Sequence, residues 1–329
     1  MPTATEFFGI TAHNLGPLTT TFTAPSSCAT SINDDYIMFV NATSPYAVRG
    51  QAKCSTVTYG DCFPSGEKLQ SFIDQTSSST FYQQTWTYFS PGIACPAGWK
   101  TVGALAHGES GKMSASGALA QAPSEEDEKW ERFIWPTDGW RNILDKSETL
   151  AYCCPSGYQG DVGGGCVSTL GPVSSYSYSQ LCAINYFIHD YYTVISSVSG
   201  LPYSNGVYSY IETTGTGSAA VVTTTKDLGE ALGATSNDFA DIAVATWVPA
   251  VPLIYKKEDM DKKEGDGETE TTSATRTASA TDASTATETS SATDAETVEN
   301  AASNVPRQGS ISTLGLVLGV LAGMGMLLS

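Results

Sequence analysis

The sequence predicts a mainly β fold: a disulfide-stapled, β-rich domain with one or two short helices, then a disordered stalk and a C-terminal hydrophobic helix. Three observations predict it. Short runs rich in Val, Ile, Thr and aromatic residues, bounded by Gly, Pro, Asn and Ser, recur through the first 255 residues. Eight cysteines, an even number, all fall between Cys28 and Cys182. Past residue 255 the composition turns to Thr, Ser, Ala and acid, and then to an uncharged apolar end. These shifts divide the 329 residues into segments 1–255, 256–310 and 311–329.

The strand candidates are "DYIMFVNAT" at 35–43, "TFYQQTWTYF" at 80–89, "YYTVISSV" at 191–198, "GVYSYIETT" at 206–214 and "AAVVTTTK" at 219–226. Ser204-Asn205-Gly206-Val207 reads as a hairpin turn, because Asn-Gly tolerates positive φ. "SEEDEKWERFIWP" at 124–136 reads as a helix, with Ser124 as cap, acids in the first turn and Pro136 as stop. Trp130, Phe133 and Ile134 would share its apolar face. "DIAVATWVPAVPLIYKK" at 241–257 is interrupted by Pro249 and Pro252 and is too short to span a membrane, so it reads as an edge strand closing the domain.

The eight cysteines are Cys28, Cys54, Cys62, Cys95, Cys153, Cys154, Cys166 and Cys182. The stretch "AYCCPSGYQGDVGGGC" at 151–166 holds three of them. No pair has the C-x-x-C spacing that zinc ribbons and thioredoxin-like sites need, and His13, His107 and His189 are scattered, so no metal and no cofactor is expected. In a strand, adjacent Cys153 and Cys154 point to opposite faces and each reaches a different partner. Structural disulfides are the expectation, and they place the domain in an oxidising compartment as an ectodomain. Connectivity stays open among 105 possibilities.

Residues 256–310 carry 12 acidic and 6 basic side chains, and "SATDA" occurs twice, at 279–283 and 291–295. In an exported chain this reads as an O-glycosylated stalk. Residues 311–328 are almost wholly apolar, a marginal length for a spanning helix. A GPI signal fits better: Asn300-Ala301-Ala302 supplies small residues with Asn300 as attachment site, followed by an eight-residue spacer and the apolar tail. The start "MPTATEFFGITAHNLGPL" lacks the charged and apolar regions of a secretion signal, so the start is expected to be incomplete. The expected location is the outer face of the plasma membrane.

The formal net charge of −18 argues against nucleic acid as a partner. "AHGESGKMS" at 106–114 has Ala106 and Met113 where a P-loop needs Gly and Ser or Thr, so no nucleotide is expected. The same stretch lacks G-x-S-x-G. Glu125 to Glu128 read as a solvated first turn of the helix rather than a calcium or acid–base site. No catalytic residue is assigned. Tyr82, Trp86 and Tyr88 would share one strand face; core packing is the favoured reading, and stacking on sugar is the alternative, with cell-wall polysaccharide as the partner. Asn41-Ala42-Thr43 is the single N-glycosylation sequon, with Asn41 as acceptor.

Three segments echo one another: "CFPSG" at 62–66, "CPAGW" at 95–99 and "CPSGY" at 154–158, each a turn pinned beside a cysteine. With "LTTTFTAPSSC" at 18–28 and "SPGIACPAGW" at 90–99, the set resembles a group of cysteine-rich surface proteins of filamentous fungi. The resemblance covers about 18–182. It implies a cell-surface ectodomain ahead of a Ser/Thr-rich region and a membrane segment, and it brings no catalytic residues. The expectation is a non-enzymatic cell-surface or cell-wall protein. The alternatives are a membrane wall-stress sensor, which would need a cytoplasmic tail, and a secreted carbohydrate-binding or carbohydrate-active protein. An enzyme of the last kind would place two carboxylates about 5–9.5 Å apart across a cleft.

Overall fold

The computed structural model describes residues 1–29, 36–43, 48–54, 59–75, 84–108, 112–123, 132–185, 192–210, 222–232 and 238–265. These residues are mainly β. In chain order the strands are β1 (Glu6–Phe7), β2 (Ile10–Asn14), β3 (Ile37–Asn41), β4 (Val48–Gln51), β5 (Gln84–Tyr88), β6 (Trp99–His107), β7 (Met113–Gly117), β8 (Glu148–Pro155), β9 (Gln159–Gly160), β10 (Gly165–Pro172), β11 (Gln180–Asn185), β12 (Tyr192–Val198), β13 (Leu201–Tyr210), β14 (Val222–Asp227), β15 (Ile242–Pro249) and β16 (Val251–Lys256). Among the described residues the α-helices are α1 (Gly66–Gln75), α2 (Pro136–Ile143), α3 (Leu228–Leu232) and α4 (Lys257–Gly265), four rather than the expected one or two.

Among the described residues the strands form four sheets, β1-β2-β5 and β12-β13 besides two larger ones that organise the fold. The smaller of these two has order β16-β8-β6-β7, and the larger β14-β11-β4-β3-β15-β10-β9. Strand β8 is buried on both faces. Leu150, Tyr152 and Cys154 point into a core completed by Ile10, Leu105, Trp140 and Val207. Ala151 and Cys153 point the other way, onto Leu15, Phe63, Phe89 and Leu253. The period-two geometry of a strand thus sends two neighbouring cysteines into two different cores. A third cluster, with Phe39, Leu181 and Val244, covers one face of the larger sheet.

Strands β15 and β16 join these two sheets. The expected edge strand over 241–257 is instead a pair of strands broken at Ala250. Strand β15 pairs with β10 on one side and β3 on the other, so it is central. Only β16 lies at an edge, paired with β8. Both prolines fit this route. Pro249 ends β15, and Pro252 sits in the edge strand, where a missing N–H is tolerated.

Two further expectations are corrected. Asn205-Gly206 does not turn the chain. Strand β13 runs through it, and the β12–β13 turn is Ser199-Gly200, both at positive φ, with Val198 opposite Leu201. Gly206 uses its positive φ within the irregular stretch between the Ser197–Pro202 and Ile195–Val207 pairs. That stretch turns Tyr203 and Val207 into the main core, which outweighs local turn preference. Pro136 does not stop a helix; it starts one, as the first residue of α2, where its missing N–H has no intrahelical acceptor to lose. Residues 124–131 of the expected helix lie outside the described residues.

Helix α2 fixes the centre of the main core. Trp140 is buried, stacks on Trp86 with ring centroids 4.5 Å apart, and donates Nε1 to the Tyr152 hydroxyl at 2.9 Å. Gly139 lets the helix approach: a Cβ there would lie 2.3 Å from the Trp86 ring.

Candidate functional site

All eight cysteines are paired: Cys28–Cys62, Cys54–Cys182, Cys95–Cys153 and Cys154–Cys166, with Cα separations of 5.6, 5.0, 5.7 and 5.6 Å. All four separations suit a bridge. The three echoing segments form one kind of turn. Gly66 N–H donates to Phe63 O, Trp99 N–H to Pro96 O and Tyr158 N–H to Pro155 O. The third turn residue, Ser65, Gly98 or Gly157, has positive φ in each. The last two turns lie side by side, since Trp99 pairs with Pro155 and Ser156 N–H donates to Gly98 O. Cys95 leads into the turn before β6 and Cys154 into the turn after β8, and the bonds of Cys153 and Cys154 leave β8 on opposite faces.

The glycine run after Cys154 wraps a carboxylate. Asp161 accepts the Gly165 N–H at 3.1 Å and those of Gly163 and Gly164, and its own N–H donates to Gly165 O at 2.9 Å. Burial raises its pKa above the ordinary carboxylate value, and the three N–H donors oppose that shift. Gln121 clamps the loop from outside, accepting from Val162 N–H and donating to Gly160 O. This carboxylate is consumed by structure.

A cleft of about 300 Å³ opens where β6 and β7 meet the start of α2. Leu105, Met113, Leu119 and Trp135 give it apolar walls, and Thr137 and Asp138 form its polar end. Trp135 is fixed by Nε1 donating to Gln121 O at 3.1 Å, and the Arg132 guanidinium lies 5.7 Å from its ring centroid. Asp138 Oδ2 accepts the Tyr203 hydroxyl at 2.9 Å. Burial first, then the charge of Asp138, pushes the Tyr203 phenol well above its ordinary range. Among the described lining residues Asp138 is the single carboxylate.

The other sequence candidates fall as follows. Tyr88 is buried and meets Trp140 edge-on, while Trp86 is half-buried and stacks on Trp140, so both rings take part in core packing. Tyr82 lies outside the described residues, as do Asn300, the acidic run at 125–128 and the apolar tail. Asn41 ends β3; its Oδ1 accepts both the N–H and the hydroxyl of the exposed Thr43, at 2.9 and 2.7 Å. The P-loop look-alike is the β6–β7 hairpin, with His107 opposite Met113 and Gly108 N–H donating to Lys112 O. Among the described residues no group of three or more His, Cys, Asp or Glu is placed to hold a metal ion, and no helix is long and apolar enough to cross a membrane. The cleft escaped the sequence reading because its walls come from three separate segments.

No family model matches the chain, and neither the curated proteins nor the solved structures contain a match to it.

Proposed function

We propose that this chain is a non-enzymatic cell-surface protein, with a disulfide-stapled head over 1–255, a glycosylated stalk over 256–310 and a C-terminal apolar segment over 311–329 that serves as GPI signal or membrane helix. The observation that carries the reading is the complete pairing of the cysteines, with Cys153, Cys154 and Cys166 fully buried in the cores their bonds hold. Such a head is at odds with a reducing cytosol and suits an oxidising exterior. The likeness to cysteine-rich fungal surface proteins supports the same reading, as does a stalk composition that offers nothing to bury.

Phosphatidylinositol-specific phospholipase C applied to membranes from cells expressing the full coding sequence tests the anchor. Release of the head, together with loss of a tag placed after Ser329 from the mature protein, supports GPI processing at Asn300. Retention of the tag on surface protein that the enzyme does not release assigns the tail to a membrane helix. Cytosolic protein with intact tail and free thiols overturns the surface reading altogether.

A further inference from the structure

The link between β10 and β11 crosses the covered face of the larger sheet. It leaves β10 beside β15 and returns four strands away, next to β4. Val173 and the ring of Tyr178 pack down on the cluster that holds Phe39, with Tyr178 edge-on to Phe39 at 6.3 Å. Above them Tyr176 is exposed, over a third of its surface reaching solvent, and its ring lies nearly parallel to that of Tyr178, at 22° with centroids 6.2 Å apart. The Tyr176 ring lies over Gly171, where a Cβ would stand at ordinary contact distance, 3.6 Å. Ser174, Ser175, Ser177 and Ser179 are all exposed around the two rings.

The chemistry of this outcrop is unusual for the chain. The protein carries formal charge −18, yet residues 162–188 contain no Asp, Glu, Lys or Arg. The adjoining 3-10 turn Asp238–Asp241, which ends on the exposed Asp241, contacts the turn Val173–Ser175. An aromatic pair anchored from below by a buried ring gives rigid contact area at little entropic cost, and surrounding hydroxyls supply adaptable hydrogen bonds. Tyrosine suits a ligand that is apolar on its face and wet at its edge. A pyranose ring is such a ligand: its C–H face packs on an aromatic ring and its hydroxyls meet serine hydroxyls and a carboxylate. With no cation in the segment, a neutral sugar fits better than an anionic one.

We propose that Tyr176 and Tyr178 form a binding platform for a neutral polysaccharide. Its biological use rests on the surface location proposed above, but the binding does not, so the two fail separately. The purified full chain is tested for co-sedimentation with insoluble β-1,3-glucan, chitin and mannan. At least one retains the wild-type protein, and Tyr176→Ala lowers the affinity about 10-fold or more, while Tyr176→Phe stays within about 2-fold of wild type. Tyr176 is exposed, so the variant keeps the wild-type melting temperature. Binding does not weaken between 0.05 and 0.5 M salt, on the order expected for an uncharged ligand. Asn41→Gln protein, which cannot carry the N-glycan, binds as the wild type does. Failure of all three polysaccharides to retain the wild type overturns the proposal. So does equal retention of Tyr176→Ala, binding that salt abolishes, or binding that requires the glycan.

Discussion

Removing the two disulfides that leave β8 probes how the head is held together. Cys95–Cys153 closes a span of 58 residues and Cys154–Cys166 a span of 12. Chain entropy gives about 4 kcal/mol for the longer loop and about 3 kcal/mol for the shorter. Truncation to alanine adds a second cost, roughly 1 kcal/mol for each fully buried sulfur, comparable to deleting a core methylene. Cys154 and Cys166 are both fully buried, whereas Cys95 is half-exposed and only Cys153 is fully buried. The deeper burial of the shorter bridge therefore offsets its smaller loop. Cys95→Ala/Cys153→Ala and Cys154→Ala/Cys166→Ala should each lose about 5 kcal/mol. The two loops follow one another without overlap, so the losses should be close to additive. Urea denaturation of the full chain is the assay; with a slope near 3 kcal/mol/M, each pair should move the midpoint down by roughly 1.5–2 M. A shift under about 0.3 M for either pair, well below what the loop-closure term alone requires, would refute the claim that these bonds hold the two cores.

Gly139→Ala should destabilise the head by about 1–3 kcal/mol, read as a fall in melting temperature, because its methyl would collide with Trp86; unchanged melting would mean that α2 does not sit against that ring. The raised pKa of Asp161 sets a pH dependence. Its stabilising share is complete below the ordinary carboxylate value and is lost as pH rises through the folded-state value, so Asp161→Asn should gain on the wild type between pH 3 and 7 in urea midpoints. An equal gap at both pH values would remove the burial argument. Asn41→Gln should abolish the mass shift seen on treating exported protein with peptide N-glycosidase; a shift that persists would place the glycan elsewhere.

What could be read from the residues was whatever depends on local pattern. Adjacent cysteines diverge in a strand whatever the fold, so the fates of Cys153 and Cys154 followed from period two. The runs at 37–41 and 84–88 carry β-branched and aromatic residues and form β3 and β5. Strands β6, β8 and β10 were missed for physical reasons. Strand β8, "ETLAYCCP", is buried on both faces and so shows no alternation, while "WKTVGALAH" is rich in Ala and Gly, which have weak strand preference. Asn205-Gly206 misled because a motif that permits positive φ does not say whether the chain turns there or bulges; burial of Tyr203 and Val207 decided it. Partner choice among the cysteines was illegible because it rests on register, such as Lys100 opposite Cys154, which no local signal encodes. The cleft beside Trp135 and the seat of Tyr178 on Phe39 likewise depend on which segments the sheets bring together.

A peptide map of unreduced protein, alkylated at the moment its native cells are opened, bears on fold and compartment together. It should yield four cross-linked pairs, Cys28 with Cys62, Cys54 with Cys182, Cys95 with Cys153 and Cys154 with Cys166, and no alkylated cysteine. Alkylated thiols at Cys153, Cys154 or Cys166 would contradict an oxidised surface head, and a bond between Cys153 and Cys166 would contradict the division of β8 between two cores.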